Sequence, residues 1–218
     1  MLYYPIVQRD SMRNLQIRLL DQCFKYGKTH LGSSFSSLSA IVEIYEKMIS
    51  DDVFILSNGH AASALYVVLE KFKGIDSSRL FESMGDHPKR DLAAHIHCST
   101  GSLGMGITVA VGMAMANEKK QVYCLVSDGE CAEGSVWEAL RFANRMRLKN
   151  LHLFFNFNGW SALGRVDTAS LFIEVKTVFP NAEIRNTSLF PFEQHNLHAH
   201  YMKLSEEEYF QARAKLCA

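Results

Sequence analysis

Two strongly apolar runs, 121–127 (QVYCLVS) and 151–157 (LHLFFNF), constrain the fold of this chain more than any other feature. Their length and their aliphatic and aromatic content indicate buried strands, and the segment between them, within 134–147, has the periodicity of a helix. A strand, a helix and a second strand imply a right-handed crossover in a parallel sheet. The runs stop at Asp128 and near Asn158. Both polar side chains are therefore expected at neighbouring carboxyl ends of strands, where such sheets bind ligands.

The rest of the chain continues the alternation of strands and helices and predicts an α/β fold of three layers with a mostly parallel sheet. Ser205, followed by Glu208, predicts the N-cap of a last helix. Segment 106–116 is rich in glycine and alanine and is expected to be a buried helix. The other predicted elements are helices at 11–26, 38–49 and 63–74, a short strand at 54–56, a small-residue loop at 27–34 and a loop-rich stretch at 74–105.

Composition excludes several classes of protein. A chain of 218 residues suits one large domain, and its 23 Lys and Arg balance its 23 Asp and Glu, so no net field favours nucleic acid or an anionic membrane. The longest apolar stretch, 106–116, is too short to span a bilayer, and the first residues lack the layout of a signal peptide. Five scattered cysteines predict reduced thiols in a cytoplasmic protein.

One longer motif follows Asp128: the string DGECAEGSVWEA at 128–139. It resembles the thiamine diphosphate motif of transketolases, D-G-E-x-x-E-G-x-x-W-E-A. Four further segments resemble transketolase segments in the same order: THLGSS (29–34), LSNGHA (56–61), HPKR to STGSLGMG (87–106) and NLHAHYMKLSEEEY (196–209). The resemblance covers roughly 10–165 and 190–215.

This resemblance implies the three-layer α/β/α thiamine diphosphate-binding fold. Residues 1–218 would form a single diphosphate-binding (PP-type) domain, shortened at about 166–192. The aminopyrimidine and C-terminal domains of a transketolase are expected on a partner chain. The glutamate that activates the aminopyrimidine ring would then also lie on that partner.

A diphosphate in a crevice needs a cation, and magnesium prefers hard oxygen ligands. The resemblance implies a Mg²⁺ site, which Ca²⁺ or Mn²⁺ could also occupy, made by the Asp128 carboxylate, the Asn158 amide oxygen and the Trp160 main-chain carbonyl. The bare residue types are equally compatible with an N-cap at Asp128 and a turn at Asn158. The cofactor contacts implied by the resemblance are His60, Gly101, Leu103, Asp128, Gly129, Glu130, Asn158, Trp160 and Ala162.

Four histidines match positions at which transketolases have a functional histidine. The resemblance implies that His60 and His200 contact the diphosphate or the reacting sugar, and that His30 and His87 line the substrate channel. Histidine suits these roles because its pKa lies near neutrality. Glu133 matches a glutamate at the dimer interface that couples two active sites. Without the surrounding motifs, any one of these residues would be expected on the surface.

The sequence also departs from the family pattern. Ser127 replaces the first glycine of G-D-G, and Asn156 replaces the usual acid two residues before Asn158. Segment 166–192 is too short for the helix and two strands that transketolases have there, so a piece of the sheet is expected to be lost or remodelled.

The implied function is that of the N-terminal subunit of a split transketolase, which moves a two-carbon ketol unit from a ketose or ketose phosphate to an aldose. The expected assembly is an α2β2 heterotetramer with a C-terminal subunit that bears the aminopyrimidine domain, acting in a specialised sugar or natural-product pathway. Two alternatives stay open: another thiamine diphosphate enzyme, such as an acyloin synthase or a 2-oxo acid decarboxylase component, and a non-catalytic remnant of the fold.

Overall fold

A computed structural model of the chain describes residues 6–49 and 51–218. Four parallel strands form its main sheet in the order β1-β2-β3-β6, and β4 and β5 form a short antiparallel hairpin. The strands are β1 (Val53–Leu56), β2 (Val122–Ser127), β3 (Leu151–Phe157), β4 (Trp160–Ser161), β5 (Gly164–Arg165) and β6 (Glu183–Asn186).

The helices cover both faces of this sheet. They are α1 (Ile6–Lys25), α2 (Leu31–Lys47), α3 (Ala62–Lys73), α4 (Ser77–Ser83), α5 (Met105–Ala116), α6 (Gly134–Met146), α7 (Thr168–Val178) and α8 (Glu206–Cys217). Short 3-10 turns follow β1 at Gly59–Ala61 and β2 at Gly129–Ala132, and a kinked 3-10 segment spans Glu193–His200.

Alternate side chains of the central strands point to opposite faces, which creates two cores. On β2, Tyr123 and Leu125 pack with helices α1 to α4 and α8, whereas Cys124 and Val126 pack with α5, α6 and α7. The prediction of a three-layer α/β/α fold with a parallel sheet is therefore confirmed. Because both faces are covered, β1, β2 and nearly all of β3 are buried, which explains their continuous apolar runs.

The elements predicted around Asp128 are confirmed, and so is the capping box of α8 at Ser205 and Glu208. Two predictions are wrong. The small-residue loop at 27–34 ends at His30, because Leu31–Lys47 is one helix and its small side chains are buried against neighbouring elements. Helix α5 is buried on one face only, and Met105 and Met115 are exposed on the other.

The segment at 166–192 supplies one helix, α7, and one edge strand, β6. Strand β6 pairs in parallel with β3, and Ile184 lies opposite Phe155. The main chain of Thr187 then donates to the carbonyl of Phe157 at 2.9 Å. This segment therefore extends the sheet past β3 by a single strand before the chain turns back toward Glu193–His200.

The side chain of Asn150 ties the end of α5 to the start of β3. Its buried amide nitrogen donates to the carbonyls of Ala114, Asn117 and Lys120 at 3.0, 3.1 and 2.9 Å. We expect Asn150→Ala to lower the free energy of unfolding by about 2 kcal/mol, because it removes the donor to the buried carbonyl of Ala114 and two partly buried hydrogen bonds to Asn117 and Lys120. Urea denaturation measures this change. Asn144→Ala, on the exposed face of α6, is the matched control, and equal stability of the two variants would contradict the prediction.

All five cysteines lie in the described part of the chain and are free. Within the same residues, no helix has the length and apolar character needed to cross a membrane.

Candidate active site

A cavity of about 240 Å³ lies beyond the carboxyl ends of the central strands. The loops that follow β1, β2 and β3 meet there with the start of α2, the β4–β5 hairpin and the Glu193–His200 segment. Its lining residues are His30, Ser33, Asn58, His60, His87, Gly101, Leu103, Ser127, Gly129, Ala132, Glu133, Asn156, Asn158, Trp160, Ser161, Ala162, Leu163 and His200.

Asp128 joins the ends of β2 and β3. Its carboxylate accepts hydrogen bonds from the main-chain N–H of Gly129 at 2.9 Å and of Gly159 at 2.6 Å. Its own main-chain N–H donates to the carbonyl of Asn156 at 3.0 Å. The side chain is buried behind the cavity lining, and burial raises the pKa of Asp128 to about 6. The two strand ends therefore meet as expected, with the carboxylate between them.

The other two proposed metal ligands, Asn158 and Trp160, flank Gly159, whose N–H donates to the Asp128 carboxylate. Asn158 accepts from the N–H of Trp160 at 2.9 Å through its side-chain oxygen and donates to Ser36 at 3.0 Å. The carbonyl oxygen of Trp160 lies 3.7 Å from the point that a Cβ on Gly129 would occupy. A carboxylate, an amide oxygen and a main-chain carbonyl are the hard oxygen donors that Mg²⁺, Ca²⁺ or Mn²⁺ requires.

These residues fit a cation that also binds oxygens of its ligand. In the part of the chain that the structure describes, no group of three or more His, Cys, Asp or Glu side chains could hold a metal. A cation at the strand ends would therefore depend on the amide and carbonyl oxygens, and its remaining positions would go to phosphate oxygens and water.

Gly129 is required by packing as well as by its predicted contact with phosphate. A Cβ at this position would lie 3.2 and 3.3 Å from the Cβ and Cα of Ser161 in the β4–β5 hairpin. The glycine therefore lets the hairpin close over the strand ends. The hairpin is also held by Tyr201, whose hydroxyl donates to the carbonyl of Ala162 at 2.8 Å.

Glu130 does not line the cavity but is completely buried beneath it. Its carboxylate accepts from the Ser57 hydroxyl at 2.7 Å, from the Gly104 N–H at 3.0 Å and from the Ser127 N–H at 3.0 Å. Burial raises the pKa of Glu130, and these hydrogen bonds oppose the shift. The residue thus connects the three loops that carry Asn58, Leu103 and Asp128. Its predicted role as a direct cofactor contact stays a prediction.

The four predicted histidines come together in one cluster on the cavity wall. The ring centroid of His30 lies 4.3 Å from that of His200, 5.6 Å from that of His60 and 5.7 Å from that of His87. The rings of His60 and His200 are 5.4 Å apart. Segments far apart in the chain therefore supply one histidine cluster.

Local hydrogen bonds fix this cluster. His30 precedes α2 with a left-handed backbone (φ 56°), and its N–H donates to the carbonyl of His200 at 3.0 Å. The buried ammonium of Lys28 donates to the carbonyl of Met84 at 2.8 Å, and the Thr29 hydroxyl donates to Asp86 at 3.0 Å. The turn that carries His87 is therefore tied to the loop that carries His30.

Burial and mutual repulsion lower the pKa of three of the clustered imidazoles, those of His30, His60 and His200. Burial, followed by the charge of His200, lowers the pKa of His30 to about 4, and burial with repulsion from the other three rings lowers that of His60 to about 3. The pKa of His200 is lowered by burial and by the charge of His87. At neutral pH these three rings can each donate one hydrogen bond and accept one. An anion in the cavity would raise their pKa values.

This arrangement predicts a specific loss of stability in acid. The pKa of His60 is about 3 in the folded chain against about 6.5 when unfolded, so the unfolded chain binds more protons between these values. The contribution of neutral His60 to the unfolding free energy is therefore fully present above pH 6.5 and is lost progressively as the pH falls. We expect His60→Gln to reduce the drop in unfolding free energy between pH 7.5 and pH 5 by about 2 kcal/mol. Urea titrations of the ligand-free chain at both pH values measure this difference.

His198→Gln is the matched control, because His198 is exposed and outside the cluster. It should keep the pH dependence of the unsubstituted chain. An equal drop in stability for His60→Gln and the control would show that His60 does not resist protonation.

The loop before α5 completes the cavity. A Cβ on Gly101 (φ 148°) would lie 2.8 Å from Cδ2 of His87, so the ring packs directly on this glycine. Leu103, two residues later, also lines the cavity. Glu133, the N-cap residue of α6, is another lining residue. All the predicted site residues except Asp128 and Glu130 therefore face the cavity, and those two lie directly behind it.

The sequence patterns assign no site role to seven of the residues that line the cavity. Ser33, Asn58 and Ala132 lie within the quoted family motifs, and Ser127 and Asn156 are departures from the family pattern, so position within these motifs was the available signal. The full set is Ser33, Asn58, Ser127, Ala132, Asn156, Ser161 and Leu163.

A doubly covered parallel sheet with a polar cavity at its strand ends defines an α/β domain whose ligand site is formed by the loops beyond those strand ends. A family model described as "Transketolase, thiamine diphosphate binding domain" matches residues 11–179. The chain belongs to this transketolase family, and the resemblance stated from the sequence is confirmed.

Two relatives are named as subunits of transketolases. The chain is 34% identical over 155 residues to a subunit of the apulose-4-phosphate transketolase of Phocaeicola vulgatus, with 62% of this chain and 54% of the relative covered. It is 32% identical over 161 residues to the 6-deoxy-6-sulfo-D-fructose transketolase subunit SqwG of a Clostridium species, with 64% and 58% covered. The chain thus spans somewhat over half the length of these relatives.

The fold matches part of a solved transketolase structure. The crystal structure of transketolase from Campylobacter jejuni superimposes with a TM-score of 0.77 and 20% identity, over 98% of this chain and 43% of that chain. At this identity the match concerns the fold alone.

Proposed function

We propose that the chain is the thiamine diphosphate-binding subunit of a two-chain transketolase. The observation that carries this proposal is the convergence of four clustered histidines and three strand-end oxygen donors on one cavity, in a chain of this family. Two relatives named as transketolase subunits support it.

The proposed site residues would have two roles in binding the cofactor: holding the cation and orienting the cofactor rings. Asp128, Asn158 and the Trp160 carbonyl hold Mg²⁺, with Ca²⁺ or Mn²⁺ as substitutes, and the cation neutralises the diphosphate. The carbonyl of Gly101 and the side chain of Leu103 orient the rings of the cofactor. When bound, thiamine diphosphate supplies the nucleophilic carbon and takes up the electrons released when the C2–C3 bond of a ketose breaks.

The histidines would transfer protons and form hydrogen bonds with hydroxyl groups of the substrate. Neutral imidazoles can donate to a developing alkoxide and later accept its proton. His60 and His200 are placed to do so beside the diphosphate, while His30 and His87 line the path of the sugar. Partial burial of His30, His60 and His200 limits the access of water, which strengthens each hydrogen bond that these three rings make to the ligand.

The partner would be a C-terminal transketolase subunit that bears the aminopyrimidine domain, in an α2β2 heterotetramer, with Glu133 at the contact that couples two sites. The shared similarity to relatives named for apulose-4-phosphate and 6-deoxy-6-sulfo-D-fructose favours a specialised sugar or sugar phosphate as substrate. We place this complex in the cytoplasm, because its cysteines are free thiols.

A carbon-labelling experiment tests the proposal. The full chain is mixed with such a partner subunit, thiamine diphosphate and Mg²⁺, and a ketose phosphate carrying ¹³C at C1 and C2 is supplied with an aldose phosphate. Ketol transfer moves both labelled carbons to the aldose, which mass spectrometry detects. In a parallel reaction supplied with a 2-oxo acid that carries ¹³C at C1, release of labelled carbon dioxide would instead indicate a decarboxylating enzyme. Absence of saturable cofactor binding by calorimetry would indicate a non-catalytic remnant.

A further inference from the structure

We propose that Asn58 is a substrate-binding residue, whose side-chain carbonyl accepts a hydrogen bond from a hydroxyl group of the ketose. This inference rests on the proposed function and adds to it a residue that selects polyhydroxylated substrates.

The carbonyl oxygen of Asn58 is a buried acceptor without a partner. The residue is fully buried, lines the cavity, and its Oδ1 atom receives no hydrogen bond from the described part of the protein. A buried acceptor left in this state costs about 1–3 kcal/mol of stability. Among the described residues, the buried side-chain atoms without a partner are Asn58 Oδ1, His30 Nδ1 and Ser34 Oγ, and the first two belong to residues that line this cavity.

The surrounding contacts hold Asn58 in place. Its amide nitrogen donates to the hydroxyl of Ser37 at 3.0 Å. The preceding residue, Ser57, is bound to Glu130 at 2.7 Å. The following residue, Gly59, is packed so closely that a Cβ would lie 2.6 Å from the carbonyl carbon of Thr100. The Asn58 segment is therefore fixed before any ligand binds, as a preorganised binding residue requires.

The missing partner must be a hydrogen-bond donor. An ionised diphosphate offers only negatively charged acceptors, which an amide carbonyl would repel. A sugar hydroxyl both donates and accepts. It can therefore donate to Asn58, while the unpartnered Nδ1 of His30, in a ring kept neutral by burial, can pair with the same hydroxyl or its neighbour.

Paired ketones test this role in the two-chain complex loaded with thiamine diphosphate and Mg²⁺. The probes are erythrulose, which has hydroxyls on C1, C3 and C4, and 1,3-dihydroxy-2-butanone, which lacks only the last of these and keeps the C3 hydroxyl that cleavage of the C2–C3 bond requires. The unsubstituted complex should prefer erythrulose by at least about tenfold in kcat/KM, because a site built to bind a hydroxyl rejects the analogue without it. Asn58→Leu should bring this ratio close to one, chiefly through a higher KM for erythrulose.

Two further readouts separate substrate binding from a structural role. Cofactor affinity of Asn58→Leu, measured by calorimetry, should stay within about twofold of the unsubstituted complex. Its melting temperature should fall by no more than about 5 °C, because an apolar side chain of similar size removes one hydrogen bond to Ser37 together with an acceptor that has no partner. Ser37→Ala, which removes the contact of the amide nitrogen but keeps the carbonyl, should retain the preference for erythrulose.

An unchanged preference in Asn58→Leu, or a loss of cofactor affinity in place of ketose affinity, would overturn the role of Asn58 and leave the proposed function intact. A complex that binds cofactor but turns over neither ketone nor any ketose phosphate would overturn both.

Discussion

Asp128→Ala is expected to weaken the joint binding of thiamine diphosphate and Mg²⁺ by at least about 100-fold, since it removes the sole carboxylate of the proposed ligand set. The carboxylate also holds the N–H of Gly159 at 2.6 Å, so its removal releases the turn that positions Asn158 and Trp160. Both effects act on the same cation. Calorimetric titration of thiamine diphosphate into the full chain with its partner subunit, at saturating Mg²⁺, measures the loss.

The chain offers a matched control in Asp167. Its carboxylate also accepts main-chain hydrogen bonds, from Ala169 and Ser170 at the start of α7, but it does not line the cavity. Asp167→Ala removes a helix cap and should leave cofactor affinity unchanged. Asp128→Asn keeps the shape and loses the charge, so we expect an intermediate affinity. Full affinity in Asp128→Ala would show that the strand-end carboxylate binds no cation.

Glu130→Ala is expected to lower the free energy of unfolding by about 3 kcal/mol or more, since several buried donors lose their shared acceptor at once. The Ser57 hydroxyl and the N–H groups of Gly104 and Ser127 would be left unpaired in a dry interior. A cavity the size of the removed side chain adds to the loss. Denaturation in urea, monitored by circular dichroism, measures the change.

Glu138→Ala, on the exposed face of α6, provides the comparison and should change stability by less than about 0.5 kcal/mol. Glu130→Gln should fall between the two, because its amide group would face N–H donors on one side. If Glu130→Ala unfolded at the same urea concentration as Glu138→Ala, the three loops would have to be held together by other contacts.

The core of this fold follows from local patterns in the sequence. Strands buried on both faces leave continuous apolar runs, so the ends of β2 and β3 are predicted to within one residue. The capping box at Ser205 is equally visible, because its two partners lie three residues apart. Patterns of this kind depend on neighbours in sequence and need no tertiary information.

The elements that local patterns miss depend on contacts across the fold. The segment 31–34 resembles a loop because glycine and serine are weak helix formers, yet burial against neighbouring elements overrides that preference. Asp76 caps α4 by accepting from the N–H of Ser78, a signal too short to separate from the surrounding turns. Exposure of one face of α5 does not follow from its composition, because almost every residue in it is small or apolar.

The functional site, like the fold, is only partly predictable from local sequence patterns. Strand ends alone place Asp128 and Asn158 correctly, whereas the grouping of His30, His60, His87 and His200 comes only from resemblance to a family. No spacing rule connects histidines that stand on four separate segments. The inward direction of Glu130 and the unpaired oxygen of Asn58 depend on atomic contacts, and only the structure shows them.

The hydrogen bond from the N–H of His30 to the carbonyl of His200 has a consequence for biosynthesis. His30 and His200 lie on the same wall of the pocket, but His30 is synthesised early and His200 is synthesised much later. A ribosome must therefore release residue 200 from its exit tunnel before the pocket exists, and closure of so long a loop is slow. A ligand can therefore contact this complete wall only after the late segment has emerged.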